Sequence, residues 1–205
     1  MKTIIITGPS GSGKTILTNK LSKLFDGTIV ISTDSYYRDN YLVRFFSIFN
    51  SGIYDRLSSI KNKELNHTLK SIYNKNKVIR TFNYDFKRKK SLQSIINLKY
   101  KGDNQFLILE GIFAHRLNLN YHKTINILCK EEKEICFRRR LKRDQLDRNR
   151  DIKEVEKRFS QSWHLFYRNI RNYINSNKVM ILNPVDKTSF GELITNLNRI
   201  SANKN

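Results

Sequence analysis

The stretch that most restricts this chain lies at its start. Residues 2–7, KTIIIT, are a short β-branched run that reads as a buried strand. GPSGSGKT follows at 8–15, and then the helical pattern ILTNKLSKLF. A strand, a glycine loop matching GxxxxGK[ST] and a helix, in that order, form a phosphate-binding unit. Gly8, Gly11 and Gly13, with Pro9, Ser10 and Ser12 between them, let the backbone turn its N–H groups into an anion nest, to which the helix adds its positive end. Lys14 is expected to reach the outer phosphates and the Thr15 hydroxyl to ligate Mg²⁺. The chain is therefore expected to bind a nucleoside triphosphate, ATP or a relative. This loop alone does not separate kinases from other nucleotide-using proteins.

Alternation along the remaining sequence predicts an α/β architecture. Buried strands are expected at 28–32, 106–111, 125–130 and over VMIL, with helices at 58–75, 131–150 and 152–175 and a terminal helix. Leu65, Leu69 and Ile72 share one helical face. Residues 77–82 and 92–98 read as a hairpin around NYDFKRKK. This order implies a mostly parallel sheet covered on both faces, a P-loop-type three-layer sandwich with a small β-hairpin and a basic lid. No linker or repeat divides it, so residues 1–205 are expected to form one domain, with the hairpin at about 77–98 and the lid at about 138–152. Two acids end parallel strands, where ligands sit in such sheets: Asp34 in TDSYY and Glu110 in FLILEG.

Composition adds a charge question. Lys plus Arg is 39 against 18 Asp plus Glu, a formal net charge of +21. Such a balance favours anionic partners: phosphorylated metabolites, nucleic acid or a membrane surface. Coding in an AT-rich genome would load the surface with lysine equally well. No apolar run approaches the roughly 20 residues that cross a bilayer, so no membrane association and a cytoplasmic setting are expected. Cys129 and Cys136 lack metal-ligand or redox spacing and read as buried, reduced thiols.

In their order, GPSGSGKT, TDSYY, the YD pair at 54–55, NYDF, ILEGI, RRxxRDxxxR and the late Asp186 resemble the uridine kinase and phosphoribulokinase family of P-loop kinases, closest to its uridine kinase branch. The resemblance covers about residues 2–187. It implies transfer of the ATP γ-phosphate to a hydroxyl of a small acceptor, nominally the 5′-hydroxyl of uridine or cytidine. It casts Asp34 as the catalytic aspartate and Glu110 as an acid near Mg²⁺, acting through water. Arg140, Arg143, Arg148 and Arg150 match arginines of the lid segment, where guanidinium forks would stabilise charge on the transferring phosphoryl group. Asp186 matches a position near the ATP base. Arg138 and Lys142 are expected to face solvent.

The acceptor pocket implied by the resemblance comprises Asp55, Tyr84, Phe86, Lys89, Arg140, Arg150 and Arg158. Three positions depart from the family pattern: Lys89 stands where a base-reading histidine is expected, Arg158 where a glutamine is, and Arg56-Leu57 where HP follows the YD pair. Either these cations donate to pyrimidine carbonyls, or, together with Lys61, they favour an acceptor that already carries a phosphate or carboxylate. Lys87, Arg88 and Lys90 are assigned to solvent. Binding or phosphorylation of nucleic-acid ends is the competing reading from another class, and a regulatory NTPase that phosphorylates nothing is a third. Homo-oligomer formation stays open.

Overall fold

The computed structural model describes residues 1–39, 57–88, 90–102, 105–117, 119 and 124–202. Its centre is a five-stranded sheet of β1 (Lys2–Thr7), β2 (Ile29–Ser32), β5 (Phe106–Glu110), β6 (Thr124–Cys129) and β7 (Val179–Leu182), in the order β2-β5-β1-β6-β7. Every pairing in it is parallel. The central strands β5, β1 and β6 are buried on both sides, which is why they read as unbroken apolar runs rather than alternating ones. In β5, Phe106 and Ile108 face one core while Leu107 and Leu109 face the other.

Helices supply the two outer layers. On one face α1 (Lys14–Leu24) packs Leu17 and Leu21, and the terminal helix α5 (Lys187–Ala202) packs Leu193 and Leu197, against Ile4, Ile6 and Ile127. On the other, α2 (Asn62–Tyr73) buries Leu65, Leu69 and Ile72 against Ile29, Ile31 and Leu109. The long helix α4 (Ile152–Ser176) covers Leu128 with Phe166 and Ile170. Its buried residues Val155, Phe159, Ser162, Phe166 and Ile170 follow the three-and-four spacing of a single face. The expected three-layer α/β architecture is the one observed. Among the described residues no helix is long and apolar enough to cross a membrane.

The hairpin strands are longer than the sequence pattern indicates. β3 (Val78–Asp85) and β4 (Lys90–Asn97) pair antiparallel from Val78↔Asn97 to Asp85↔Lys90, apart from the main sheet. Residues Asn83–Asp85 therefore belong to the strand, and the turn is confined to the residues after them. The Asp85 carboxylate closes that turn: its Oδ1 accepts from the Lys87 and Arg88 backbone N–H groups, each at 2.9 Å.

The basic segment is helix α3 (Lys133–Arg148), shorter at both ends than 131–150. It stops because Asn149 turns left-handed, at φ 51°, a conformation asparagine tolerates better than most residues. The turn brings the Arg150 N–H back to the Asp144 carbonyl at 3.2 Å. Asp151 then caps α4, its side chain accepting from the Glu154 N–H at 2.9 Å.

Candidate active site

Strand order dictates where the functional side chains meet. β2, β5 and β1 lie side by side, with Ser32 opposite Glu110 and Glu110 opposite Ile6. The segments leaving these strands, carrying Asp34, Glu110 and the glycine loop, therefore emerge along one edge at the carboxyl ends, where open parallel sheets bind ligands. Around that edge is a cleft of about 700 Å³. Its walls include Ser10, Gly11, Gly13, Lys14 and Thr15 from the loop, Asp34, Glu110, Phe86, Arg143 and Arg148.

The glycine loop has the geometry of an anion cradle. Gly11 and Gly13 have φ of 87° and 88°. A side chain at Gly11 would also collide with the Cys136 backbone. Lys14 is buried and its Nζ donates to the Gly8 and Pro9 carbonyls, at 2.9 and 3.0 Å. Ser12 is fully buried within the loop and its Oγ has no hydrogen-bond partner among the described residues, an orphaned polar atom beside the cradle. Gly8, Pro9 and Ser12 shape the loop from behind rather than lining the cleft. These residues fit a polyphosphate chain. Thr15 is exposed on the cleft wall with Glu110 also on it.

Asp34 is placed by a close approach of backbone. Its Oδ1 accepts from the Ile112 N–H at 3.2 Å. Gly111 permits this: its φ is 151°, and a Cβ there would lie 2.8 Å from that same oxygen and overlap Thr33 Oγ1.

Helical periodicity sorts the basic run of α3. Arg139, Arg143 and Asp147 are four residues apart and all line the cleft. Cys136, Arg140 and Asp144 lie one position further round and are buried. Arg139 donates to the Gly11 carbonyl at 3.2 Å and pairs with Glu131 at 3.1 Å. Arg143 donates to Ser10 Oγ at 3.2 Å. Arg148 stacks on Phe86, its guanidinium 3.9 Å from the ring centroid. Burial, with Arg143 nearby, pulls the Arg148 pKa down to about 10. Asp144 has no exposed surface and meets Arg140, Arg143, Arg148 and Arg150. Burial alone would raise its pKa, but Arg148, Arg143 and Arg140 hold it below the ordinary carboxylate value.

Several residues expected at the site stand elsewhere. Arg140 points into the α3–α4 interface, donating to Ser162 Oγ at 2.6 Å with its guanidinium 6.0 Å from the Phe159 ring centroid, so its position on the helix turns it from the cleft. Arg150 and Arg158 pair with acids behind the cleft wall, Arg150 with Asp144 at 2.9 Å and Arg158 with Glu154 at 2.8 Å. Tyr84 is a core residue, edge-on to Tyr37 with centroids 5.5 Å apart, because its strand face packs inward. Asp186 caps α5, accepting from the Ser189 N–H at 2.8 Å, and does not line the cleft. Lys61 pairs with Asp39 at 3.0 Å. Asp55 and Lys89, with Tyr54 and Arg56, lie outside the described residues.

Conversely, Arg139, Asp85, Lys87 and Asp147 line the cleft without having been singled out as site residues. Lys87, assigned to solvent, is exposed but on the cleft wall; Arg138 and Lys142 are exposed and off it. The four-residue spacing to Arg143 was the available signal for Arg139.

The comparisons with known proteins agree with this geometry. The model of the Phosphoribulokinase / Uridine kinase family matches residues 3–188. A uridine kinase of Ureaplasma parvum serovar 3 is 32% identical over 158 residues, 74% of this chain and 73% of that protein. A uridine kinase of Staphylococcus epidermidis is 32% identical over 153 residues, 73% of this chain and 72% of its own. Among solved structures, a possible uridine kinase from Bacillus stearothermophilus superposes with a TM-score of 0.58 at 16% identity, over 88% of both chains. A putative fructose transport system kinase from Silicibacter sp. TM1040 superposes with a TM-score of 0.61 at 14% identity, over 82% of this chain and 84% of its own. These two likenesses concern the fold. With its glycine loop, strand-end acids and arginine-bearing helix on one cleft, and with relatives matched over most of its length, this chain belongs to the Phosphoribulokinase / Uridine kinase family and is a small-molecule kinase.

Proposed function

We propose that the protein transfers the γ-phosphate of ATP to the 5′-hydroxyl of a pyrimidine nucleoside, uridine or cytidine, a cytoplasmic salvage reaction. The observation that carries this reading is the placement of Asp34 on the same cleft as Lys14 and the glycine loop, with an aromatic ring, Phe86, on the facing hairpin. Asp34 would accept the proton of the attacking hydroxyl. The loop amides and Lys14 would hold the phosphates of ATP, and Arg139, Arg143 and Arg148 would stabilise charge spread over the transferring group. Mg²⁺ would neutralise phosphate charge, with Thr15 and Glu110 as the side chains that would hold it. Among the described residues no group of three or more His, Cys, Asp or Glu could hold a metal alone, so the phosphate oxygens would supply the remaining ligands.

A pyrimidine acceptor is supported by the named activity of the relatives and by the tying down of two of the cations that favoured an anion. Lys61 and Arg158 are each paired with an acid and lie off the cleft. The test is purified protein with ATP, Mg²⁺ and uridine or cytidine, with the 5′-monophosphate as the expected product. No turnover above an Asp34→Asn control refutes the acceptor. Preferential turnover of a sugar phosphate replaces it with the anionic class. Tight, steeply salt-dependent binding of short oligonucleotides without nucleoside turnover would favour the nucleic-acid reading.

A further inference from the structure

Asp144 is fully buried, and none of its surface reaches the cleft. Its two oxygens are divided between two pairs of arginines. Oδ1 accepts from Arg143, through Nε at 3.1 Å and Nη2 at 3.0 Å, and pairs with Arg148 at 3.2 Å. Both of these arginines line the cleft. Oδ2 pairs with Arg150 at 2.9 Å and with Arg140 at 3.7 Å, and both lie behind the wall. The rear pair is anchored in turn, Arg140 by Ser162 and Arg150 by Glu154 at 3.6 Å.

On the proposed reading of the site, the front pair divides the two substrates. Arg143 touches Ser10 of the phosphate-binding loop, on the nucleotide side. Arg148 lies on Phe86 of the hairpin, on the acceptor side. A single carboxylate oxygen thus joins the guanidinium that touches the phosphate-binding loop to the one that lies on the hairpin. Freely hydrated arginines lose rotamer entropy whenever they are brought to one geometry, and preorganised ones do not.

We propose that Asp144 is a positioning residue for phosphoryl transfer, registering Arg143 and Arg148 across the two substrate walls while lowering the resting positive charge of the cleft. The inference rests on the ATP-dependent reading of the site but not on the identity of the acceptor. The two effects of Asp144 oppose one another in binding. Its charge weakens the attraction of the arginines for any anion, and its geometry raises their value in the transition state. Removing it should therefore tighten ground-state binding while slowing the chemical step, a split that loss of folded protein cannot produce.

The decisive variant is Asp144→Asn, which keeps the shape and loses the charge. An amide presents its NH₂ to one of the two arginine pairs, donor against donor. ADP and ATP affinities, measured by calorimetry without acceptor, are expected to rise about threefold to tenfold. With the acceptor that the wild type uses, kcat should fall by about 30-fold or more. Asp144→Glu retains the charge but displaces it by a methylene; it should leave nucleotide affinity within about twofold of wild type and still lower kcat about tenfold. That variant decides the matter if the asparagine variant does not fold. Unchanged kcat per folded molecule in the variant that folds, or a kcat that falls only in step with the folded fraction, overturns the proposal. Failure of the wild type on uridine and cytidine would refute the pyrimidine acceptor while leaving the nucleotide affinities of the variants to judge Asp144.

Discussion

The guanidinium of Arg148 lies over the ring of Phe86, 3.9 Å from its centroid, and so joins the basic helix to the hairpin across the mouth of the cleft. Phe86 is in turn edge-on to Tyr84, with centroids 5.0 Å apart, and Tyr84 is rooted in the core. The stack ties the tip of the hairpin to the arginine-bearing helix. A cation over an aromatic face contributes about 0.5–2 kcal/mol, depending on desolvation.

Phe86→Ala should raise the acceptor KM by about tenfold while changing the ATP KM little, and Phe86→Tyr should stay near wild type. Arg148→Lys should reproduce part of the loss, since an ammonium cannot offer a planar face to the ring. Steady-state kinetics in both substrates check these expectations. Equal effects on the two KM values would place Phe86 outside the acceptor wall.

Asp34→Asn should lower kcat by about 10²–10⁴-fold, the usual contribution of a general base. The Ile112 N–H can still donate to the amide oxygen of the variant, so the fold and ATP binding should persist. Calorimetric ATP binding close to wild type, together with lost turnover, is the expected pair of results.

Gly111→Ala tests the backbone approach behind Asp34. The added Cβ would overlap Thr33 Oγ1 and come 2.8 Å from Asp34 Oδ1, at a φ that side chains avoid. A stability loss of roughly 3 kcal/mol is expected, with kcat falling beyond what the loss of folded protein accounts for. Denaturant titration and kcat per folded molecule separate the two effects.

His115 predicts a pH dependence. It is buried, with Nδ1 2.9 Å from Thr7 Oγ1 and Nε2 without a partner among the described residues. Burial, then the charge of Arg116, pulls its pKa down from 6.5 to about 4. The folded state resists a proton that the unfolded chain accepts, so stability is fully present above pH 6.5 and declines as pH falls towards 4. The decline should total on the order of 3 kcal/mol. Urea titrations at successive pH values should show this slope in the wild type and its loss in His115→Gln.

The layered core was legible because each strand and helix carries its own periodic signal. Leu65, Leu69 and Ile72 announced one buried face, and all three are buried. The phosphate loop was legible because consecutive residues build it. The arginine run was legible as a run but not as a division of labour. Which of Arg139, Arg140 and Arg143 faces the cleft depends on the rotation of α3 against α4, fixed by contacts such as Arg140 with Ser162, 22 residues apart in sequence. Tyr84 went the other way for a similar reason: the hairpin register, which the alternation left short, turns that ring into the core.

The hairpin forms its own two-stranded ladder, separate from the five-stranded sheet that carries the phosphate loop. Its hold on the body is through side chains such as Ile79 and Tyr84. Under the proposed function, mutations at its tip should alter acceptor use without disturbing the strands that carry the phosphate loop.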